Sequence, residues 1–164
     1  MGAMKKSKII YYENLEGVSP VLKWIYNLKV SGNRLLLLAA IEELLASQGR
    51  ELLKTHWLKS ITKGIYELRV KAPSAFLEKY SYSSKSDEIR LSGKGLYRIF
   101  LTFLEDNEIL ILHGYDKKVN DKRNYQQKQI KIARKRLYDY LRNQKNRRLT
   151  PTNISNKIKN LEGK

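Results

Sequence analysis

Arg69 and Arg98 are the residues whose type and placement point most directly to chemistry. Each lies in a short run rich in β-branched and aromatic residues, Ile65 to Val70 and Tyr97 to Leu104, which reads as a strand. A guanidinium stays charged at working pH and offers a planar fork that fits two phosphate oxygens at once. Donors aimed at developing negative charge lower a reaction barrier. Side chains alternate along a strand, so Glu67 and Lys71 share a face with Arg69, and Phe100 and Thr102 share one with Arg98. Two solvated strand arginines, or one of them paired with Glu67, is the competing reading.

Groups able to carry protons lie nearby in the sequence. Lys117 and Lys118 follow an apolar strand at its end, and a lysine near other cations has a lowered pKa and can give or take a proton. A solvated lysine turn is the equal alternative. His113 titrates in the right range for acid–base work, yet its apolar strand suits a packed core histidine at least as well. Tyr115 can stack on a base, donate a proton, or be structural. His56 lies with Lys54 and Lys59 in a basic stretch that ends at Gly64. Two histidines without an acidic cluster make a weak metal site, so neither metal nor cofactor is expected.

The charge balance narrows the partner. Lys plus Arg number 33 against 16 Asp plus Glu, a net charge of +17. Such a surplus repels itself in the folded state and attracts polyanions. The chain has no cysteine, which excludes disulfides, thiolate metal sites and a cysteine nucleophile. The longest apolar run, Leu35 to Ile41, is stopped at once by Glu42 and Glu43 and is too short to span a bilayer. Met1 to Ser7 is basic but only a short strand-like run follows, so no secretory leader and a cytoplasmic location are expected. The realistic partners are nucleic acid, an anionic membrane surface or an acidic protein.

The elements that must position these groups can be read in order. Ile9 to Tyr12 is a first strand. Ser19-Pro20 starts a helix carrying Val21, Leu22, Ile25 and Leu28. Ser31-Gly32-Asn33 breaks the chain, and a second helix follows with Leu35, Leu38, Ile41, Leu44 and Leu45 on one side and Gly49 as its stop. The pair should form an antiparallel hairpin. Strands follow at Ile65–Val70, Tyr97–Leu104 and Ile109–Tyr115, the last two joined by a turn at Glu105-Asp106-Asn107-Glu108. The continuous apolar run from Ile109 to Leu112 suggests a strand at the centre of the sheet. Pro73 to Leu96 is an insertion, with room for a small hairpin around Ser83 to Ser86. A final helix begins near Asn120-Asp121, with a narrow apolar stripe at Ile130, Ala133, Leu137 and Leu141. From Asp121 to Arg148 eleven Lys or Arg face two Asp, so about half the excess charge sits on this element. Like charges four apart, such as Lys131 and Lys135, weaken a helix unless a polyanion is present. This favours Lys128, Lys131, Arg134, Lys135 and Arg142 as phosphate contacts over a merely solvated face. The expected architecture is an α/β (α+β) domain over residues 1–148. It has an N-terminal strand, a helical hairpin, a mostly antiparallel sheet of about four strands and a basic C-terminal helix. A polar tail over 149–164, partly disordered, completes the chain.

Local wording adds a resemblance. Leu58-Lys59 precedes Gly64-Ile65-Tyr66-Glu67-Leu68-Arg69; Tyr97-Arg98-Ile99-Phe100 opens a strand; Ile111-Leu112-His113-Gly114-Tyr115-Asp116-Lys117-Lys118 closes the next; Ile130-Lys131-Ile132-Ala133-Arg134 sits in the last helix. In this order they resemble the RelE/ParE superfamily, and within it the phage-derived, HigB-like toxins, over Ile9 to about Arg142. The resemblance implies the toxin of a two-gene toxin–antitoxin module that cuts mRNA, commonly on the ribosome and without a metal, with a helix-turn-helix antitoxin as partner. Arg69, Arg98, Lys59, His113, Tyr115, Lys117 and Lys118 stand as the candidate catalytic residues. The ParE branch shares the fold and inhibits DNA gyrase, so a non-enzymatic inhibitor, or a phage nucleic-acid-binding regulator, stands as the alternative. The Pro73–Leu96 insertion and the tail after Arg148 depart from the pattern.

Overall fold

The structure, a computed structural model, describes residues 5–78 and 94–148. Five strands form one sheet: β1 (Lys8–Tyr11), β2 (Leu58–Thr62), β3 (Ile65–Ala72), β4 (Gly95–Phe103) and β5 (Glu108–Asp116). Their order is β1-β5-β4-β3-β2, with β1 parallel to β5 and the other pairs antiparallel. The expected mixed architecture is present, with two corrections. β2 occupies what reads as a basic loop; its mixture of one buried, two exposed and two half-buried residues is that of an edge strand, too polar to stand out. Lys63-Gly64 closes its hairpin to β3, with Gly64 at φ +82°. β5 is interior but lies one place off the middle, because β1 is short and packs outside it; β4 is central.

Two helices cover one face. In α1 (Pro20–Tyr26) the Ser19 hydroxyl accepts from Leu22 N at 3.2 Å and Pro20 takes the first turn, as the sequence requires. The break falls at 27–30 and α2 (Ser31–Ala39) starts at Ser31, one turn sooner than Ser31-Gly32-Asn33 suggests. The reason is tertiary: Asn33 Nδ2 donates to the Tyr97 hydroxyl at 2.7 Å and is drawn into the core. α2 continues through a π-helical stretch (Ala40–Leu45) and a last turn (Ala46–Gln48) to Gly49, at φ +52°. Val21, Ile25, Leu36, Leu37, Ile41 and Leu44 pack against Leu68, Val70, Ile99 and Ile111 of the sheet. A Cβ on Gly114 would overlap the Trp24 ring, so glycine there lets α1 close onto β5.

The opposite face receives α4 (Arg123–Arg148); α3 (Ala75–Glu78) is a single turn after β3. Ile130 and Ala133 are buried against Phe100, Leu110, Leu112 and Tyr115, and Leu137 packs at the edge. Leu141, expected in this stripe, is instead exposed. A 26-residue helix is ~39 Å long, and outruns a nine-residue strand of ~30 Å. The turn after β4 has Asp106 and Asn107 at φ 59° and 58°, the left-handed pair that short-side-chain residues tolerate. A bulge in β5 sets His113 opposite Phe100 and Ile111 opposite Leu101, leaving Leu112 extra. Leu112 and His113 consequently both meet α4. The small hairpin proposed around Ser83 to Ser86 and the 149–164 tail lie outside the described residues.

Candidate functional site: a cationic cleft at the end of the sheet

Strand register assembles the site. Arg69 stands opposite Arg98, Arg98 opposite Tyr115, and Lys59 opposite Glu67. Directly opposed residues share a face, so these groups crowd the α4 side of the sheet. Two opposed arginines repel. Glu67 offsets that repulsion: its side chain is 0% exposed, and its Oε1 accepts from Arg69 Nε at 3.0 Å and lies 3.7 Å from Arg98 Nε. Oε2 accepts from Gln126 Nε2 of α4 at 3.4 Å. Both arginines thus address the carboxylate through Nε rather than through the Nη fork. Arg98 gives Nη1 to the Tyr97 carbonyl at 3.1 Å. The Arg98 side chain is 13% exposed, and burial lowers its pKa, with Glu67 opposing the shift. Arg69 is more open, at 37%.

Tyr115 lies against this cluster, 3% exposed, its ring stacked on Phe100 and edge-on to Tyr125. Burial, aided by the Glu67 charge, pushes its pKa up to about 12, which holds the proton on at neutral pH. Among the described residues its hydroxyl has no hydrogen-bond partner.

α4 leaves one end of this face open. There Arg69, Lys71, Leu96 and Arg98 meet His56, Trp57, Pro73 and Phe76 around a cleft of about 550 Å³. Lys117 and Lys118 border it: Lys117 N donates to the Leu96 carbonyl at 2.7 Å, and Asp116 Oδ1 accepts from both Leu96 N and Lys118 N. Lys59 is exposed on β2, on the same face but outside the lining. His113 is not brought into the cleft. Its Nδ1 accepts from Arg136 Nη1 at 3.0 Å while Nε2 is bonded to Gln129 Oε1, and burial lowers its pKa to about 4. Arg136 also donates to the Leu112 carbonyl at 2.9 Å.

Lys128, Lys131, Arg134, Lys135 and Arg142 of α4 are all exposed, and Arg134 Nη2 in addition donates to Thr62 Oγ1 at 3.2 Å across the edge of β2. The sequence reading did not single out Trp57, Phe76 and Gln126. An aromatic beside a histidine in a basic stretch was the available signal for Trp57; nothing in the sequence marks Gln126, whose role depends on α4 bringing it to Glu67.

The fold and cleft define a small α/β domain with two arginines set on a buried carboxylate. Over residues 79–138 the chain is similar to the family described as Phage derived protein Gp49-like (DUF891). That span holds Arg98, His113, Tyr115, Lys117, Lys118 and α4 as far as Tyr138, but not Arg69, Glu67 or Lys59. No curated protein matches the chain.

Proposed function

We propose that the protein is the toxin of a toxin–antitoxin module and an endoribonuclease of mRNA, acting on the ribosome in the cytoplasm. The observation that carries this reading is the Glu67 carboxylate holding Arg69 and Arg98 by Nε at the floor of an open cleft. The remaining Nη donors match the non-bridging oxygens of a phosphodiester.

The reaction needs no metal in this scheme. The ribose 2′-oxygen attacks phosphorus and its proton passes to a basic group. Charge grows on the non-bridging oxygens, where Arg69 and Arg98 stabilise it. The bond to the 5′-oxygen breaks, and that oxygen takes a proton from an acid. The products are a 2′,3′-cyclic phosphate and a free 5′-hydroxyl. Tyr115 is held protonated and unpaired and serves as that acid. Lys117, Lys118 and Lys59 supply the other proton transfers. Both ring nitrogens of His113 are engaged, so it orients α4 rather than moving protons. Exposed Lys128, Lys131, Lys135 and Arg142, with Arg134 at the β2 edge, bind phosphates and give affinity without sequence preference. The expected partner is a helix-turn-helix antitoxin that covers the basic surface.

Induced expression in bacteria with mapping of transcript 5′ ends tests the reading. New ends inside coding regions, absent in an Arg98→Ala strain, support it. Supercoiling changes without new ends would favour ParE-like gyrase inhibition. Salt-sensitive RNA binding with no product would favour a nucleic-acid-binding regulator.

A further inference from the structure

The cleft carries more positive charge than its carboxylate balances. Along β3, Glu67, Arg69 and Lys71 share one face by alternation, and Arg98 joins them across the sheet, opposite Arg69. Both oxygens of Glu67 are engaged, Oε1 by Arg69 and Arg98 and Oε2 by Gln126. Lys71 is exposed in the lining of the cleft and has no ion-pair partner among the described residues. Asp116, at the border, is outnumbered by Lys117 and Lys118. The strand ladder fixes where Lys71 stands: it lies opposite Leu96, and the next pair, Ala72 and Gly95, is buried. Two residues of strand put its Cα about 7 Å from that of Arg69. Like charges gathered this closely weaken a fold unless an anion joins them.

We propose that Lys71 holds a second phosphate, next in the strand to the one on Arg69 and Arg98, so that the cleft takes two consecutive phosphodiesters. This rests on the reading of the cleft as an RNA site. The step of about 7 Å between the two positions is comparable to that between successive phosphates of an extended strand. The residue types fit the division. A reacting phosphate calls for the planar guanidinium fork, whereas a neighbour that only anchors the chain is served by a point charge on a flexible stem. Leu96 and Pro73, in the same lining, offer apolar contact to the sugar between the two phosphates. The cleft volume, about 550 Å³, lies within the roughly 300–1,000 Å³ of pockets that enclose drug-sized ligands, far more than one phosphate group fills. The substrate is therefore a strand with at least two phosphodiesters, and a dinucleotide, which has one, is a poor substrate.

The test is equilibrium binding of the full chain to a short 2′-O-methyl RNA, free or carried by ribosomes, which cannot be cleaved. One phosphate at a time is replaced by a neutral methylphosphonate. Two consecutive positions should each cost wild type about 10-fold or more in affinity. Lys71→Met keeps the length of the side chain and removes its charge. It should lose a similar factor on the intact strand, become insensitive at one of the two positions, and flatten the salt slope by about one unit. Arg98→Ala should become insensitive at the other. Lys71→Arg restores the charge and should bind nearly as wild type. The proposal is overturned if folded Lys71→Met keeps both sensitivities, or if the position it loses is not adjacent to the one lost in Arg98→Ala. Lys71 is then a solvated lysine at the strand end. Arg69→Ala and Arg98→Ala separate the two levels. If they leave affinity and the methylphosphonate profile unchanged, or if wild type does not bind, the cleft itself is not the RNA site and the subsite falls with it.

Discussion

Under the middle of α4 and at the uncovered end of the same sheet face, polar groups are treated in opposite ways. Beneath the helix, His113 has one nitrogen on Gln129 and the other on Arg136, and Arg136 also caps the Leu112 carbonyl. In the cleft, Arg69 Nε is hydrogen-bonded to Glu67 and Arg98 Nε is ion-paired with it, and behind them Tyr115 keeps a buried hydroxyl without a partner among the described residues. An unpaired buried polar group is costly, so a fold retains few without a reason. Under the proposed function, the paired set builds the domain and the arginines with Tyr115 are the groups a phosphodiester would complete; Asn33 Oδ1, also unpartnered among the described residues, lies in the core away from them. A basic helix and a conspicuous histidine drew attention in the sequence, but the division of labour follows hydrogen-bond completion rather than residue type.

The largest expected break falls at Arg98. Arg98→Ala should slow RNA cleavage by about 100- to 1,000-fold, with the far-ultraviolet dichroism unchanged. Arg98→Lys should rescue poorly, since a point charge does not replace a fork. Glu67→Gln should follow, losing on the order of 100-fold in cleavage as the arginines drift, and about 1–3 kcal/mol in denaturant stability as charge-assisted hydrogen bonds go. A folded Glu67→Gln of normal activity would show that the carboxylate does not position the fork.

Binding should separate from chemistry on α4. Changing Lys131, Arg134 and Lys135 to Gln preserves helix propensity. It should flatten the dependence of log affinity on log salt by up to about three units. Cleavage at saturating protein and low salt should be nearly unchanged. Arg134 also bonds Thr62, so its share is expected to be the smallest. An unchanged slope would make the helix a solvated structural element.

Two stability measurements sharpen the contrast at finer scale. His113 titrates near 4 in the folded protein, against about 6.5 when unfolded. The unfolded chain therefore takes up the proton first. The stabilisation is complete above the unfolded value and is lost as pH falls from about 6.5 to 4, on the order of 3 kcal/mol. His113→Gln should remove this component from the pH dependence of unfolding while leaving cleavage intact. Tyr115→Phe should do the reverse. It deletes an unpaired hydroxyl, so stability should hold or rise by about 1 kcal/mol, while cleavage falls by about 100-fold. A Tyr115→Phe variant with normal cleavage would assign the proton to another group.

Much of the fold was legible because local signals and packing agree: Ser19-Pro20, the Asp106-Asn107 turn, and the apolar run of β5 each specify one conformation. β2 was not legible, since an edge strand half in water looks like a loop. The α2 start was displaced by one hydrogen bond, Asn33 to Tyr97, between residues far apart in sequence. At the site, alternation placed Glu67 and Lys71 with Arg69, but only register could set Arg69 opposite Arg98. The fate of His113 turned on a bulge that delivers two successive residues to α4, which no periodicity reveals.

The central claim is that the cleft cleaves RNA through the 2′-oxygen, and the chemistry of the product ends tests it most directly. A single-stranded or ribosome-bound mRNA cut by the purified protein in the presence of a chelator should yield 5′-hydroxyl ends, labelled by polynucleotide kinase without prior phosphatase treatment. The upstream fragments should end in a cyclic or 3′-phosphate, and both ends should vanish with Arg98→Ala. Ends carrying a 5′-phosphate, or cutting that persists in folded Arg98→Ala, would contradict it.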